Sequence, residues 1–222
     1  MAAILFGSIS TVADTSELQR QAFNQAFAEH GLDWNWDRDA YIGMLDKSGG
    51  QDRVSAYAES KGESVDAQAI HQTKSKIFQD SAASAGLSLR PGVLETIAGA
   101  KHDGLKVGLV TTTSPDNVAA LLDALSPQIT REDFDVVVDS SDVDQPKPDR
   151  AAYVYALQQL SETAGECVAI EDNVGGVDAA VAAGVTCVAF PNANTAGHDF
   201  AAADQRVEEL DFDSLRQLVP SA

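Results

Sequence analysis

The sequence is poor in basic residues, with 15 Lys and Arg against 34 Asp and Glu, and its formal net charge is -19 at pH 7. Nucleic acids and anionic membrane surfaces bind through clustered basic side chains, so this balance argues against both as partners. An acidic surface also repels small anions unless basic groups cluster locally. The few basic residues therefore carry much of the information about a binding site.

Long apolar runs and cysteines are also scarce. No apolar stretch approaches the roughly 20 residues of a membrane span, and the N-terminal residues lack a secretory pattern, so we expect a cytoplasmic protein. Cys167 and Cys187 both fall in apolar runs. Two such residues form neither a disulfide framework nor a metal-ligand spacing, and we expect two buried thiols.

Short continuous apolar runs predict five buried strands. The runs cover residues 2–6, 106–111, 135–139, 167–170 and 185–190. Every pair after the first is separated by a single helix-length segment, a rhythm that predicts a parallel sheet with covering helices. Because the runs do not alternate with polar residues, both faces of the sheet should be covered. The predicted fold class is a doubly wound α/β core.

The interval between the first two strands is unusually long. Residues 16–86 are helical in pattern and contain no strand-like run. We interpret this segment as a small helical domain inserted after the first strand. Residues 1–15 and 87–222 would then form the α/β core, with the chain returning to it through residues 89–93.

Polar residues follow the predicted strands at the edge where open parallel sheets bind ligands. The loops concerned are residues 7–14, 111–114, 140–149 and 171–176. Within them Lys147 lies between two prolines, and Glu171 and Asp172 directly follow an apolar strand. Such groups usually converge on a phosphate and a metal.

The order of these loops resembles the haloacid dehalogenase (HAD) superfamily of phosphatases and phosphomutases, and the helical insert resembles its cap domain. The resemblance covers essentially the whole chain. Within the superfamily, the sequence is most similar to the CbbY-type subgroup of sugar-phosphate phosphatases, and β-phosphoglucomutases are close relatives of that subgroup. The segments that carry this finer likeness are residues 36–38, 48–53, 89–92 and 111–114. A HAD-like Rossmannoid core with a helical cap is implied.

The resemblance also implies roles for side chains of the core. Thr111, with Thr112 beside it, matches the hydroxyl that binds the phosphoryl group, which it can do without adding negative charge. Lys147 matches the lysine that pairs with the phosphate and with the nucleophilic carboxylate. Asp172 would hold Mg²⁺, and Glu171 would support its water shell, since Mg²⁺ prefers carboxylate and water oxygens.

Each of these motifs has a plainer structural explanation that the sequence leaves open. Residues 111–114 could simply end a strand, with Ser114 as the N-cap of the next helix. Lys147 could be an exposed loop lysine. Glu171 and Asp172 could be an acidic N-cap.

The first loop departs from the family. The family reads Asp-x-Asp-Gly-Thr there, and its first Asp attacks phosphorus while its second is the general acid and base. The matching positions in this chain are Gly7 and Ile9, and only Thr11 is retained. Glycine cannot accept a phosphoryl group and isoleucine cannot exchange a proton. The first Asp is also a metal ligand in the family, so Mg²⁺ binding should be weakened or lost.

Basic residues outside the strand ends are candidate contacts to a second phosphate on the substrate. Arg53, Lys74 and Arg90 are the candidates, because Arg suits bidentate phosphate contact. Surface salt bridges with the abundant acids are the alternative. In the linker helix, where the family commonly has Glu and His, this chain has Ser16 and Gln19.

The resemblance therefore predicts a HAD-like relative of sugar-phosphate phosphatases that is catalytically impaired or inactive. Such a protein would still bind phosphate or a small phosphorylated metabolite between core and cap. Two other functions stay open. One is a weakly active Mg²⁺-dependent phosphosugar phosphatase in which water attacks directly, and the other is a non-catalytic interaction protein without a small ligand. The sequence does not identify a protein partner.

Overall fold

A computed structural model describes residues 2–45 and 49–219 of the chain. Ser48, in one of the segments that carry the family resemblance, lies outside the described residues. A parallel six-stranded sheet has the order β3-β2-β1-β4-β5-β6. Its strands are β1 (Ala3–Phe6), β2 (Lys106–Val110), β3 (Val136–Val138), β4 (Cys167–Glu171), β5 (Thr186–Ala189) and β6 (Gln205–Arg206). The first five confirm the predicted strands. The sixth strand is short, polar and exposed, and it was not predicted because it contains no apolar run.

Helices cover both faces of the sheet and fill the interval after β1. They are α1 (Ile9–Val12), α2 (Ser16–Glu29), α3 (Arg38–Ile42), α4 (Gly50–Lys61), α5 (Ala67–Ala82), α6 (Val93–His102), α7 (Pro115–Leu125), α8 (Ala151–Leu160), α9 (Val174–Ala182) and α10 (Phe212–Leu218). Within residues 2–45 and 49–219 none of them is both long enough and apolar enough to cross a membrane.

The central strand β1 shows how the sheet is buried on both sides. Successive side chains of a strand point to opposite faces. Ile4 and Phe6 accordingly pack with α6, α7 and α10, whereas Ala3 and Leu5 pack with α8 and α9. All four side chains are fully buried. The continuous apolar runs of the sequence therefore reflect a sheet with two covered faces, as predicted.

Both cysteines lie in the second of these two apolar layers. Cys167 and Cys187 are buried free thiols, as expected from the sequence. Burial raises the pKa of Cys167 to about 11, and it also raises the pKa of Cys187. These thiols act as small apolar side chains.

The inserted helices, α2 to α5, surround an aromatic cluster. Trp36 is fully buried, with ring centroids 4.9 Å from Phe23 and 4.6 Å from Phe27. The described residues between 16 and 86 contain no strand, in keeping with the helical pattern of the sequence. The division into a core and a separate helical domain stays a prediction.

The chain order of the strands determines where the loops converge. From the centre the chain passes to β2 and β3 on one side, and then returns to β4 and β5 on the other. The carboxyl ends of β1, β2 and β4 thus meet where the strand order reverses, which is the usual ligand site of open α/β sheets. The inserted helices leave the sheet at the same edge because they follow β1.

Candidate functional site

A cleft of about 790 Å³ lies between the strand ends and the inserted helices. Predicted site residues from both sides line it: Gly7, Ile9, Arg53, Lys74, Thr111, Thr112, Lys147 and Asp172. Glu171 is fully buried next to Asp172. Arg90 is not among the described residues that line the cleft. The structure therefore brings most of the predicted side chains together around one space.

The loop after β1 contains no acid before Asp14. Ser8 caps the short helix α1, since its Oγ accepts hydrogen bonds from the backbone N–H groups two and three residues on. The same hydroxyl donates to Asp172 Oδ1 at 2.7 Å. Ile9 is buried. Asp14 accepts hydrogen bonds from the backbone N–H of Ser16 at 3.0 Å and from the Ser16 hydroxyl at 2.7 Å, so it stabilises the turn before α2.

Lys147 is buried and fully hydrogen-bonded within the protein. Its ammonium donates to the carbonyl of Gly7, to the carbonyl of Val110 at 2.7 Å and to Glu171 Oε1 at 2.6 Å. The side chain is 4% exposed. An ammonium has three N–H donors. In this arrangement all three have protein acceptors, so Lys147 has no donor left for a ligand.

Glu171 is the acceptor that neutralises this lysine. Its Oε1 also accepts a hydrogen bond from the Tyr153 hydroxyl at 2.7 Å, and its Oε2 is buried without a hydrogen-bond partner among the described residues. Burial raises the pKa of Glu171, and the Lys147 charge opposes that rise. Burial also raises the pKa of Tyr153 well above its ordinary value, so the phenol stays a donor.

Two glycines leave room for the Glu171 carboxyl group. A Cβ atom added to Gly7 would lie 2.1 Å from Glu171 Cδ and 2.4 Å from the Tyr153 hydroxyl oxygen. A Cβ atom added to Gly176 would lie 2.1 Å from Glu171 Oε2. Real Cβ contacts are not this short. The buried carboxyl group therefore occupies the volume into which a side chain at position 7 would extend.

Asp172 is hydrogen-bonded to neutral donors on every side. Its Oδ1 accepts from the Ser8 hydroxyl and from Asn173 Nδ2 at 3.0 Å, and its Oδ2 accepts from Asn192 Nδ2 at 2.8 Å. The Thr195 hydroxyl donates to the Asp172 carbonyl at 2.6 Å. Asn192 and Thr195 were not predicted. They follow β5, another strand end, and the strand-end rule applied to that loop would have included them.

These side chains do not fit Mg²⁺. The ion needs several oxygen ligands that are not already occupied by hydrogen-bond donors. Gly7 supplies no carboxylate, Glu171 pairs with Lys147, and both oxygens of Asp172 accept hydrogen bonds from neutral groups. Across residues 2–45 and 49–219, no group of three or more His, Cys, Asp and Glu side chains could hold a metal ion.

The threonine run ends β2 and leads into α7. Thr111 is buried, and its Oγ1 accepts a hydrogen bond from the backbone N–H of Thr113 at 3.1 Å. Ser114 accepts from the backbone N–H of Asn117 at 3.3 Å and caps the helix, which confirms its predicted N-cap role. Thr111 and Thr112 border the cleft.

Lys74 lies on the opposite wall of the cleft, on α5. It is 3% exposed, and its Nζ lies 4.9 Å from the ring centroid of Phe23 and 5.4 Å from that of Phe78. Its hydrogen-bond acceptor is Gln19 Oε1, at 2.7 Å. Burial, together with the nearby charge of Arg53, lowers the pKa of Lys74 to about 7. A buried ammonium beside a neutral amide and aromatic rings is suited to receive an anion.

Arg53 adds a positive charge to this wall, and a neutral His71 lies on the same wall. Arg53 Nε donates to the Met44 carbonyl at 2.9 Å, and the guanidinium lies 5.6 Å from the ring centroid of Tyr41. His71 lines the cleft three residues before Lys74 on α5. Burial and the charges of Lys74 and Arg53 lower the pKa of His71 to about 4. His71 was not predicted, although its spacing from Lys74 places both on one helix face.

Arg90 does not line the cleft among the described residues, and its expected contact with a phosphate stays a prediction. Its guanidinium donates to the carbonyls of Ser10, Phe190 and Pro191 and lies 3.4 Å from the centroid of the Phe190 ring. It borders two smaller hollows, of about 640 and 490 Å³. Arg90 therefore ties the first loop to the loop after β5 and has a structural part.

The sheet order, the helices inserted after β1 and the polar strand-end cleft define an open α/β protein with a ligand site at the carboxyl ends of its strands. The chain belongs to the haloacid dehalogenase-like hydrolase family, whose model matches residues 1–184. The CbbY protein of Rhodobacter capsulatus is 38% identical over 211 residues, which cover 94% of this chain and 93% of that protein.

Solved structures of CbbY proteins also resemble this chain. CbbY of Rhodobacter sphaeroides in complex with phosphate superimposes with a TM-score of 0.85 at 36% identity, over 94% of this chain and 95% of that one. A mutant of that protein in complex with xylulose-1,5-bisphosphate has a TM-score of 0.86 at 35% identity, with the same coverage. This chain is thus related to the CbbY-type sugar-phosphate phosphatases.

Proposed function

We propose that this protein binds a phosphorylated sugar in the cleft without transferring its phosphoryl group. Residues 16–86 would act as the cap domain over a core of residues 1–15 and 87–222. The observation that carries the proposal is the buried Lys74 ammonium, which faces the cleft beside Gln19 instead of a carboxylate. Such a site favours an anionic ligand, because the Lys74 ammonium has already lost its water by burial and an anion would neutralise its charge.

The core side of the cleft lacks the groups that phosphoryl transfer needs. Gly7 cannot form an aspartyl-phosphate, Ile9 cannot exchange a proton, and both residues line the cleft. Direct attack by water would need Lys147 to hold the phosphate, but its three donors are all engaged by the protein. The geometry supports binding over weak hydrolysis, and it supports binding without Mg²⁺.

The ligand class follows from the relatives and from the shape of the cleft. Phosphate and xylulose-1,5-bisphosphate occupy structures of CbbY from Rhodobacter sphaeroides. A volume of about 790 Å³ is within the range of small-molecule sites. We therefore propose a sugar mono- or bisphosphate with one phosphate near Lys74, Arg53 and the neutral His71.

The test is isothermal titration of the intact protein with xylulose-1,5-bisphosphate, alongside an assay of phosphate release with Mg²⁺. We expect saturable binding and no release above background. Lys74→Met should weaken binding by 10-fold or more, on the order of a lost charge-assisted contact. Lys101→Met, on the remote helix α6, is the matched control and should bind normally. Ordinary turnover by the unaltered protein would overturn the proposal, and so would an unchanged phosphosugar affinity in Lys74→Met.

A further inference from the structure

The pocket at the end of β1 already contains an anion. We call the space bordered by Gly7, Thr111 and Lys147 the core pocket. The Glu171 carboxyl group lies against it, with its Cδ 2.1 Å from where a Cβ of residue 7 would be. Its Oε1 is 2.6 Å from Lys147 Nζ. The Glu171 carboxylate, from β4, thus lies where a side chain at position 7 would lie, and it pairs with Lys147, as a carboxylate at position 7 would.

This placement of Glu171 depends on features of the surrounding chain. The Tyr153 hydroxyl fixes Oε1 from one side, and Gly176 leaves space for Oε2 on the other. The side chain is 0% exposed. Moving it out of the pocket would leave Lys147 buried with a charge that no other described carboxylate neutralises, which is costly in a protein interior.

We propose that Glu171 is an internal anion that fills the core pocket and closes it to phosphate. Lys147 is then a structural cation in the protein as it stands, and a ligand's phosphate is held on the opposite wall of the cleft. The loss of the side chain at position 7 and the burial of Glu171 form one unit, because the two groups compete for the same volume. The proposal rests on the proposed function only for where a ligand's phosphate is held.

Small anions test this proposal without any phosphosugar. Glu171→Ala removes the carboxylate and leaves a space beside Lys147 that formate or phosphate can enter. Thermal unfolding is followed while sodium formate or phosphate is added, with sodium chloride at equal ionic strength as the reference. We expect a saturable rise in Tm for Glu171→Ala beyond the chloride effect, following mass action. The rise should be absent when Lys147→Met is added to Glu171→Ala.

The unaltered protein and Glu171→Gln provide the comparison, because in both a side chain still fills the pocket. Neither should show the Lys147-dependent rise. No anion-specific rise in Glu171→Ala, or an equal rise in the unaltered protein that Lys147→Met abolishes, would overturn the proposal. Should Glu171→Ala fail to fold, the carboxyl ¹³C resonance of Glu171 in the unaltered protein decides. It should not respond to phosphate, and a response that saturates would show an open pocket.

These outcomes are distinct from those of the proposed function. If the protein does not bind phosphosugar but small anions raise the Tm of Glu171→Ala, the proposed function is wrong and the role of Glu171 as an internal anion stands. If the protein binds phosphosugar but its core pocket is open to phosphate, the proposed function stands and the role of Glu171 as an internal anion is wrong.

Discussion

Lys74 donates to the side-chain carbonyl of Gln19 at 2.7 Å, so a buried ammonium on the cleft wall is paired with a neutral amide. The amide satisfies the geometry of the hydrogen bond without neutralising the charge. The positive charge of Arg53 lowers the pKa of Lys74 further. The arrangement costs folding free energy, and it is the basis of the anion site that we propose.

Stability should accordingly increase with pH near neutrality. The pKa of Lys74 is about 7 in the folded protein against 10.5 for an ordinary lysine. Between these values the unfolded chain binds more protons at this residue, so the free energy of unfolding rises with pH, by at most about 1.4 kcal/mol per pH unit. Urea unfolding at several pH values from 7 to 8.5 measures the slope, and Lys74→Met should make it smaller. Equal slopes would show that Lys74 stays charged when folded.

Gly7 and Glu171 should be energetically coupled. Gly7→Ala places a Cβ within 2.1 Å of the Glu171 carboxyl group and should cost about 1–3 kcal/mol through overpacking. Glu171→Ala leaves Lys147 unpaired and should cost about 3–5 kcal/mol. The double variant Gly7→Asp with Glu171→Ala returns a carboxylate to the same volume. It should lose less stability than the sum of Gly7→Asp and Glu171→Ala measured singly.

Chemical denaturation of the four proteins in this cycle gives the coupling free energy, expected at about 0.5–3 kcal/mol. Gly165→Ala is the matched control because a Cβ there meets nothing within 4 Å. Additive losses would mean that the two positions do not share a volume.

Arg90 separates stability from binding. Arg90→Met removes three hydrogen bonds to carbonyls and the contact with the Phe190 ring. We expect a loss of about 1.5–3 kcal/mol or more in the free energy of unfolding, with phosphosugar affinity unchanged at temperatures where the variant is folded. Arg131→Met, at an exposed arginine, should leave both quantities unchanged. A selective loss of affinity in Arg90→Met would support the phosphate contact that the sequence suggested.

The sequence predicted the sheet because continuous apolar runs such as residues 167–170, separated by helix-length segments, are typical of strands buried on both faces of a parallel sheet. Strand ends then indicated where Lys147 and Asp172 would meet. What it could not predict was the direction of the Glu171 side chain, since that depends on space left by Gly7 and Gly176, far apart in sequence. The same holds for Arg90, whose three acceptors come from two distant loops.

Mg²⁺ should neither stabilise this protein nor tighten its ligand binding. Ser8, Asn173 and Asn192 supply the hydrogen bonds that satisfy Asp172, and Lys147 supplies the positive charge for Glu171. An ion would have to displace these donors and would gain no carboxylate from position 7. Tm and phosphosugar affinity should therefore be the same with millimolar Mg²⁺ and with a chelator. A saturable Mg²⁺-dependent rise in Tm that Asp172→Asn abolishes would show that the donors move aside and that Asp172 is a metal ligand after all.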